Sequence, residues 1–258
     1  MNFTQCNLGS GIRLHLCETD KFKSITCKVF IQQDLNKETA SSTALIPLVL
    51  RRGSQKFPST LQIARELEYL YAADFSSDVL KIGERQILEF YFDMVDPNLL
   101  PNGAQNGERG LRAFWDIITN PAGSGSRFVD AYFTQEKHNL RQEVEGLVNN
   151  KRAYVMARAV SEMCADEPFG VYKYGDIDTI DQLENEAVYN HYGKILASYP
   201  MDIFLVGPNL DVLANLFARL DLKRNKMEVL QPPVQREVKE PRFLREEMNV
   251  QQSILFMG

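Results

Sequence analysis

Between Gly11 and Val95 the sequence passes from alternating to helical periodicity and back, and this order constrains the fold more than any other feature. After a turn at Gly9-Ser10-Gly11, the apolar Ile12, Leu14 and Leu16 alternate with Arg13, His15 and Cys17, as in a half-buried strand. A second strand over about residues 25–32 places Ile25, Cys27, Val29 and Ile31 on one face, and the pair predicts an antiparallel hairpin joined through Glu18–Lys21. The segment Thr39–Ser54, TASSTALIPLVLRRGS, reads as a helix that is apolar at Ala44, Leu45, Leu48 and Val49 and ends near Gly53. Pro47 lies inside it and lacks a backbone donor, which favours a break or kink there. A second helix follows Pro58, with Ser59 as N-cap, Gln62 completing a capping box, and Leu61, Ala64, Leu67, Leu70 and Tyr71 as its apolar face. Strands return over about 74–81 and 86–95, where Phe90 and Phe92 alternate with Tyr91 as core-packing positions. Two strands, two helices and two strands define an α+β arrangement, with a mainly antiparallel sheet and helices on one face.

The second half is read less sharply. Pro97–Gly110 is rich in Asn, Gly, Pro and Gln and reads as a loop before a helix at about 111–119. Another loop, Asn120–Ser126, precedes a long helix from about Thr134 towards Met163. Asp178 or Thr179 then caps a helix across Ile180–Leu196; Met201–Val206 is an apolar strand, and Leu210–Leu220 an amphipathic helix. Beyond Lys223 the charged stretch with Pro232-Pro233 and Pro241 reads as an interdomain linker. The expected division is a domain over 1–222, a linker over 223–241, and the first strand of a truncated second repeat over 242–258, with Val250–Gly258 as that strand.

The chain of 258 residues is 44% hydrophobic and 24% charged, the balance of a globular protein with a sizeable core. Its formal charge of −5 and lack of a dense Lys/Arg run argue against nucleic acid as a partner. No apolar run approaches the ~20 residues needed to span a bilayer, so no membrane partner is expected. Cys6, Cys17, Cys27 and Cys164 form no C-x-x-C pair and no metal-finger spacing, so they are expected as reduced thiols in the cytoplasm. No phosphate-binding glycine motif occurs.

Several phrases, in order, resemble the N-terminal half of the insulinase/pitrilysin-like zinc peptidases: GIRLHLCETD at Gly11–Asp20, RRGSQKFPS at Arg51–Ser59, ELEYLYAADFSSDV, and PFGVYKYGDIDTIDQLENEAVYNHYGKIL at Pro168–Leu196. The resemblance runs to about Leu220 and implies an insulinase-like (LuxS/MPP-like) domain. In that family the helix corresponding to Thr39–Ser54 carries an inverted His-x-x-Glu-His motif. With the closing glycine set on Gly53, Ala44 and Leu48 stand at the two histidine positions and Pro47 at the glutamate position. Hydrocarbon side chains cannot ligate zinc, and proline cannot activate a bound water. The family's third ligand is a glutamate on the long helix; Glu143 lies nearest it and, without the histidines, reads as a solvated helix residue.

The resemblance therefore implies a non-catalytic member, with no catalytic, metal or cofactor residue. Such members pair with a related zinc-containing peptidase subunit, or self-associate, and help wall a chamber for an extended peptide. Two other readings are an active peptidase using an atypical site, with Glu143 and His138, and an architectural scaffold subunit. His138 precedes Glu143 by five residues, which is a poor shared helix face, and His15 and His191 read as structural.

Overall fold

The computed structural model describes residues 2–219, 222–233, 243–247 and 253–257. The chain is organised around a six-stranded sheet of order β1-β2-β8-β3-β5-β4, with β1 Thr4–Gly9, β2 Ile12–Glu18, β3 Ser24–Asp34, β4 Asp74–Ile82, β5 Arg85–Val95 and β8 Met201–Gly207. Only the β2–β8 pairing is parallel, so the sheet is mainly antiparallel. The alternation in β3 is strict: Ile25, Cys27, Val29 and Ile31 are buried, and the residues between them half-exposed.

The expected β2–β3 hairpin does not form. The turn at Gly9–Gly11 instead joins β2 to β1, and β8 enters between β2 and β3. The reason lies in β8 itself: Met201, Ile203 and Leu205 are fully buried, and a strand this apolar belongs where both of its edges are paired. Thr19 N–H closes the junction on the carbonyl of Gly207 at 2.9 Å.

The helices cover one face. They are α1 Ala40–Leu50, α2 Thr60–Tyr69, α3 Gly103–Thr119, α4 Asp130–Gly146, α5 Lys151–Met163, α6 Ile177–Asp181, α7 Asn185–Ser198 and α8 Asp211–Arg219. A two-residue hairpin, β6 Gly123–Ser124 with β7 Arg127–Phe128, lies in the loop before α4. One continuous core joins the inner sheet face to α1, α3, α4, α7 and α8, with Phe92 stacked on Phe114 at 5.2 Å between ring centroids.

Four helical expectations are corrected. Of the apolar face expected for α2, Leu70 is buried and Leu67 partly buried, but Leu61, Ala64 and Tyr71 are exposed, and Ile63 and Glu66 are buried in their place. Glu66 can be buried because Arg109 of α3 meets both of its oxygens at 2.6 Å. The Asn/Gly-rich stretch before Leu111 is helical from Gly103, because its glycines permit close packing rather than a loop. A Cβ on Gly103 would fall 1.6 Å from the carbonyl oxygen of Pro97. The long helix is divided into α4 and α5 by a 3₁₀ turn at Leu147–Asn149, after which Asn150 caps α5 through the Ala153 amide. The helix expected over 180–196 is two, α6 and α7, with Asp176 rather than Asp178 or Thr179 as the first cap.

Residues 223–233 of the expected linker lie against the C-terminal end of α7 and the end of β3. Asn225 N–H donates to the Ala197 carbonyl at 2.7 Å, Glu228 N–H to Ser198 at 2.8 Å, and Gln231 N–H to the Asp34 carboxylate. Of the strand expected over 250–258, residues 253–257 are described and carry no strand pairing; residues 250–252 and 258, like the linker's 234–241, lie outside the described residues.

Candidate functional site: the α1 helix and its surroundings

A zinc site of the kind the resemblance implies would lie on α1, and α1 is almost wholly inside the protein. Ten of its residues are buried, Leu48 being the partly buried one. From Ala44 onward α1 is apolar on every side and must be covered on every side, and here the cover comes from the sheet, α4 and α7. Ala44 is 1% exposed and sits among Leu45, Ile46, Val49 and Leu50 in the main core. The two histidine positions are thus occupied by hydrocarbon.

Pro47 does not break α1, which runs without interruption from Ala40 to Leu50. Proline removes one ladder bond, but neighbouring groups hold the turn in place. The Pro47 carbonyl accepts the Ser77 hydroxyl from β4 at 2.9 Å and the Arg51 amide at 3.4 Å. At the position where the family places a catalytic carboxylate, this chain uses the backbone oxygen to bind α1 to the sheet.

The expected third-ligand position, Glu143, is exposed on α4, as is His138. The carboxylate that α4 does bury is Glu136, seven residues earlier and 1% exposed. It lies 3.4 Å from Arg51 and 3.4 Å from Arg52 at the end of α1, and accepts from Asn139 at 3.1 Å. Arg52 also lies 5.3 Å from the Tyr132 ring centroid on α4. Two guanidiniums and one carboxylate therefore couple α1 to α4 without metal-ligand chemistry. Sequence reasoning passed over Glu136, yet Phe133, Glu136 and Leu140 share one stripe, and an acidic residue there needs a buried partner such as Arg51 or Arg52.

A buried polar chain adjoins the other end of α1. Gln33 of β3 donates to Thr43 Oγ1 at 2.5 Å and to Gln86 Oε1 at 3.1 Å; Gln86 in turn donates to the carbonyls of Ala40 and Lys173. Thr43 Oγ1 is 2.8 Å from His191 Nε2 on α7. Burial, with Lys194 adding a smaller effect, lowers the pKa of His191 to about 4. A neutral ring protonated at Nδ1 accepts the threonine proton at Nε2, and Thr43 still has a lone pair to accept from Gln33. His191 is thus one link of this buried polar chain. His15 is elsewhere, on the outer sheet face, stacked on Phe204 at 4.3 Å and 2.7 Å from Asp202. The three histidines are not brought together.

Zinc does not fit this arrangement. Ala44, Pro47 and Leu48 supply no donor, and among the described residues no three His, Cys, Asp or Glu side chains gather closely enough to hold a metal ion. Cys6, Cys17, Cys27 and Cys164 are free thiols, and burial raises the pKa of Cys27, favouring an inert thiol. Among the described residues, no helix is long and apolar enough to cross a membrane.

The fold is that of M16-like peptidase domains, the insulinase-like class to which the sequence phrases pointed. No protein-family model matches the chain. The Bacillus subtilis (strain 168) protein named "Probable inactive metalloprotease YmfF" is 29% identical over 197 residues, 76% of this chain and 46% of that protein. A conserved protein from Enterococcus faecalis V583 superposes with a TM-score of 0.83 at 24% identity, over 90% of this chain and 55% of the other. The peptidase M16 inactive domain from Pseudomonas fluorescens gives a TM-score of 0.71 at 15% identity, over 91% of this chain and 54% of the other. The chain is thus similar in sequence to a probable inactive metalloprotease, shares the M16-like fold, and spans about half the length of these relatives.

Proposed function

We propose that this chain is a non-catalytic M16-like subunit that pairs with a related, zinc-containing peptidase and helps wall a chamber for extended peptides. The observation that carries this reading is the fate of α1. Its packing role is kept in full, while the positions that would hold metal and activate water are hydrocarbon or proline. One subunit supplies the chemistry and the other supplies surface that orders an extended substrate, so the entropy of alignment falls on binding rather than on reaction. The fold is kept for packing and assembly, and any catalysis resides in the partner. A cytoplasmic location suits the four free thiols. By the same reading, residues 1–222 form the domain, and the chain from about 242 begins a second repeat.

The test is reconstitution. The chain alone should leave a mixed peptide substrate intact, and a related chain with an intact His-x-x-Glu-His motif should co-elute with it and gain activity from it. Peptide cleavage by this chain alone, or a mixture no more active than the motif-bearing chain by itself, would contradict the proposal.

A further inference from the structure

Among α1–α8, helix α5 is the one least absorbed into the body of the protein. None of its residues is buried, and Met156 and Met163 are more than half exposed. Its Tyr154 and Arg158 stand one turn apart on one face, where both side chains can reach a single group. That group is a carboxylate from far along the chain. Tyr154 donates its hydroxyl to Glu246 Oε2 at 2.8 Å, and Arg158 reaches Oε1 with Nε and Nη2 at 2.7 Å each. Arg158 is also steadied from within the helix by Glu162 at 3.4 Å, which limits the rotamers it must give up to hold Glu246. Around the anchor, Phe243 and Leu244 are exposed, so the segment 243–247 buries little apolar surface of its own.

We propose that α5 is a docking helix for the chain's own segment 243–247, and that this segment is a strap anchored on it by the Glu246 carboxylate. Both partners are partly exposed, so the anchor is weak enough to release and to be screened by salt. Two hydrogen bonds and an ion pair on one carboxylate make it specific to an acidic residue at position 246, and a positive charge there would be repelled by Arg158. This inference is independent of whether the chain pairs with a peptidase.

Hydrogen exchange on the full 258-residue chain tests it. At low salt, E246R and R158E should each speed amide exchange within α5 by about two- to fivefold, the range set by a surface ion pair. The double variant R158E/E246R, with the charges exchanged, should return exchange towards the unmodified rate, and added salt should erase the differences. E246Q, which keeps the shape, should give a smaller acceleration; unchanged exchange in β3 and β5 would show that the fold is intact. Exchange in α5 that is indifferent to E246R and E246Q, or a double variant that shows only the sum of the single effects, would overturn the strap.

Discussion

The hydroxyl of Ser77 donates to the carbonyl oxygen of Pro47 across 2.9 Å, joining β4 to the middle of α1 at the position where the family motif would carry its glutamate. The bond takes up a helix carbonyl beside the kind of residue that usually ends a helix. Ser77→Ala should lower stability by about 1 kcal/mol, the ordinary net contribution of one intramolecular hydrogen bond. Urea unfolding with an unchanged midpoint would show that the contact contributes nothing.

Ala44 is 1% exposed in the main core, where a larger side chain must displace its neighbours. Ala44→His, which restores one family ligand by name, should destabilise the protein by about 1–3 kcal/mol through overpacking, and more if the ring is left without a partner. Leu45→Ala, at a fully buried position, should cost about 2–5 kcal/mol. Thermal denaturation of both variants checks whether α1 is the packed element described here; an Ala44→His protein as stable as the parent would refute that description.

The ion cluster at the end of α1 should respond asymmetrically. Replacing both Arg51 and Arg52 by alanine leaves the buried Glu136 carboxylate without its cations, and should cost about 3 kcal/mol. Glu136→Met leaves two arginines that are a third to a half exposed and can rehydrate, so its cost should be distinctly smaller. Equal losses in the two variants would mean that Glu136 is not held by these arginines.

His191 gives the pH dependence a sign. Its folded-state pKa lies at about 4, below the unfolded value of 6.5, so the unfolded chain binds a proton first as the pH falls. The contribution is intact above pH 6.5 and is lost as the pH falls towards 4, by up to roughly 3 kcal/mol. His191→Gln should remove that part of the slope from a series of unfolding curves at pH 7, 6, 5 and 4. A parent and variant with the same slope would show that the ring takes up its proton equally readily in the folded and unfolded chain.

What was legible in the sequence followed from local pattern. The alternation in β3 and, from Leu88 onward, in β5, the Ser59 cap of α2, which accepts the Gln62 amide at 3.4 Å, and the apolar stretch of α1 appear where the sequence puts them. What was not legible depends on distant parts of the chain. The insertion of β8 between β2 and β3 joins residues some 180 positions apart, and no local signal chooses it over a hairpin. Glu66 and Glu136 were overlooked because burial of a carboxylate is decided by the arginine that meets it, Arg109 in one case and Arg51 with Arg52 in the other. The Gly103 helix was read as a loop because glycine signals both freedom and close approach, and only the presence of Pro97 distinguishes them. At α1 the substitutions themselves were plain from the sequence, whereas the reuse of the Pro47 carbonyl was visible only in three dimensions.

The central claim is that α1 has been kept for packing and no longer serves zinc chemistry. Its most direct test is the metal content of the purified chain, measured by elemental analysis after dialysis against zinc and removal of excess ion. The account predicts far less than one zinc per chain and no change in unfolding temperature on adding zinc. One tightly held zinc per chain, with a matching rise in that temperature, would contradict it.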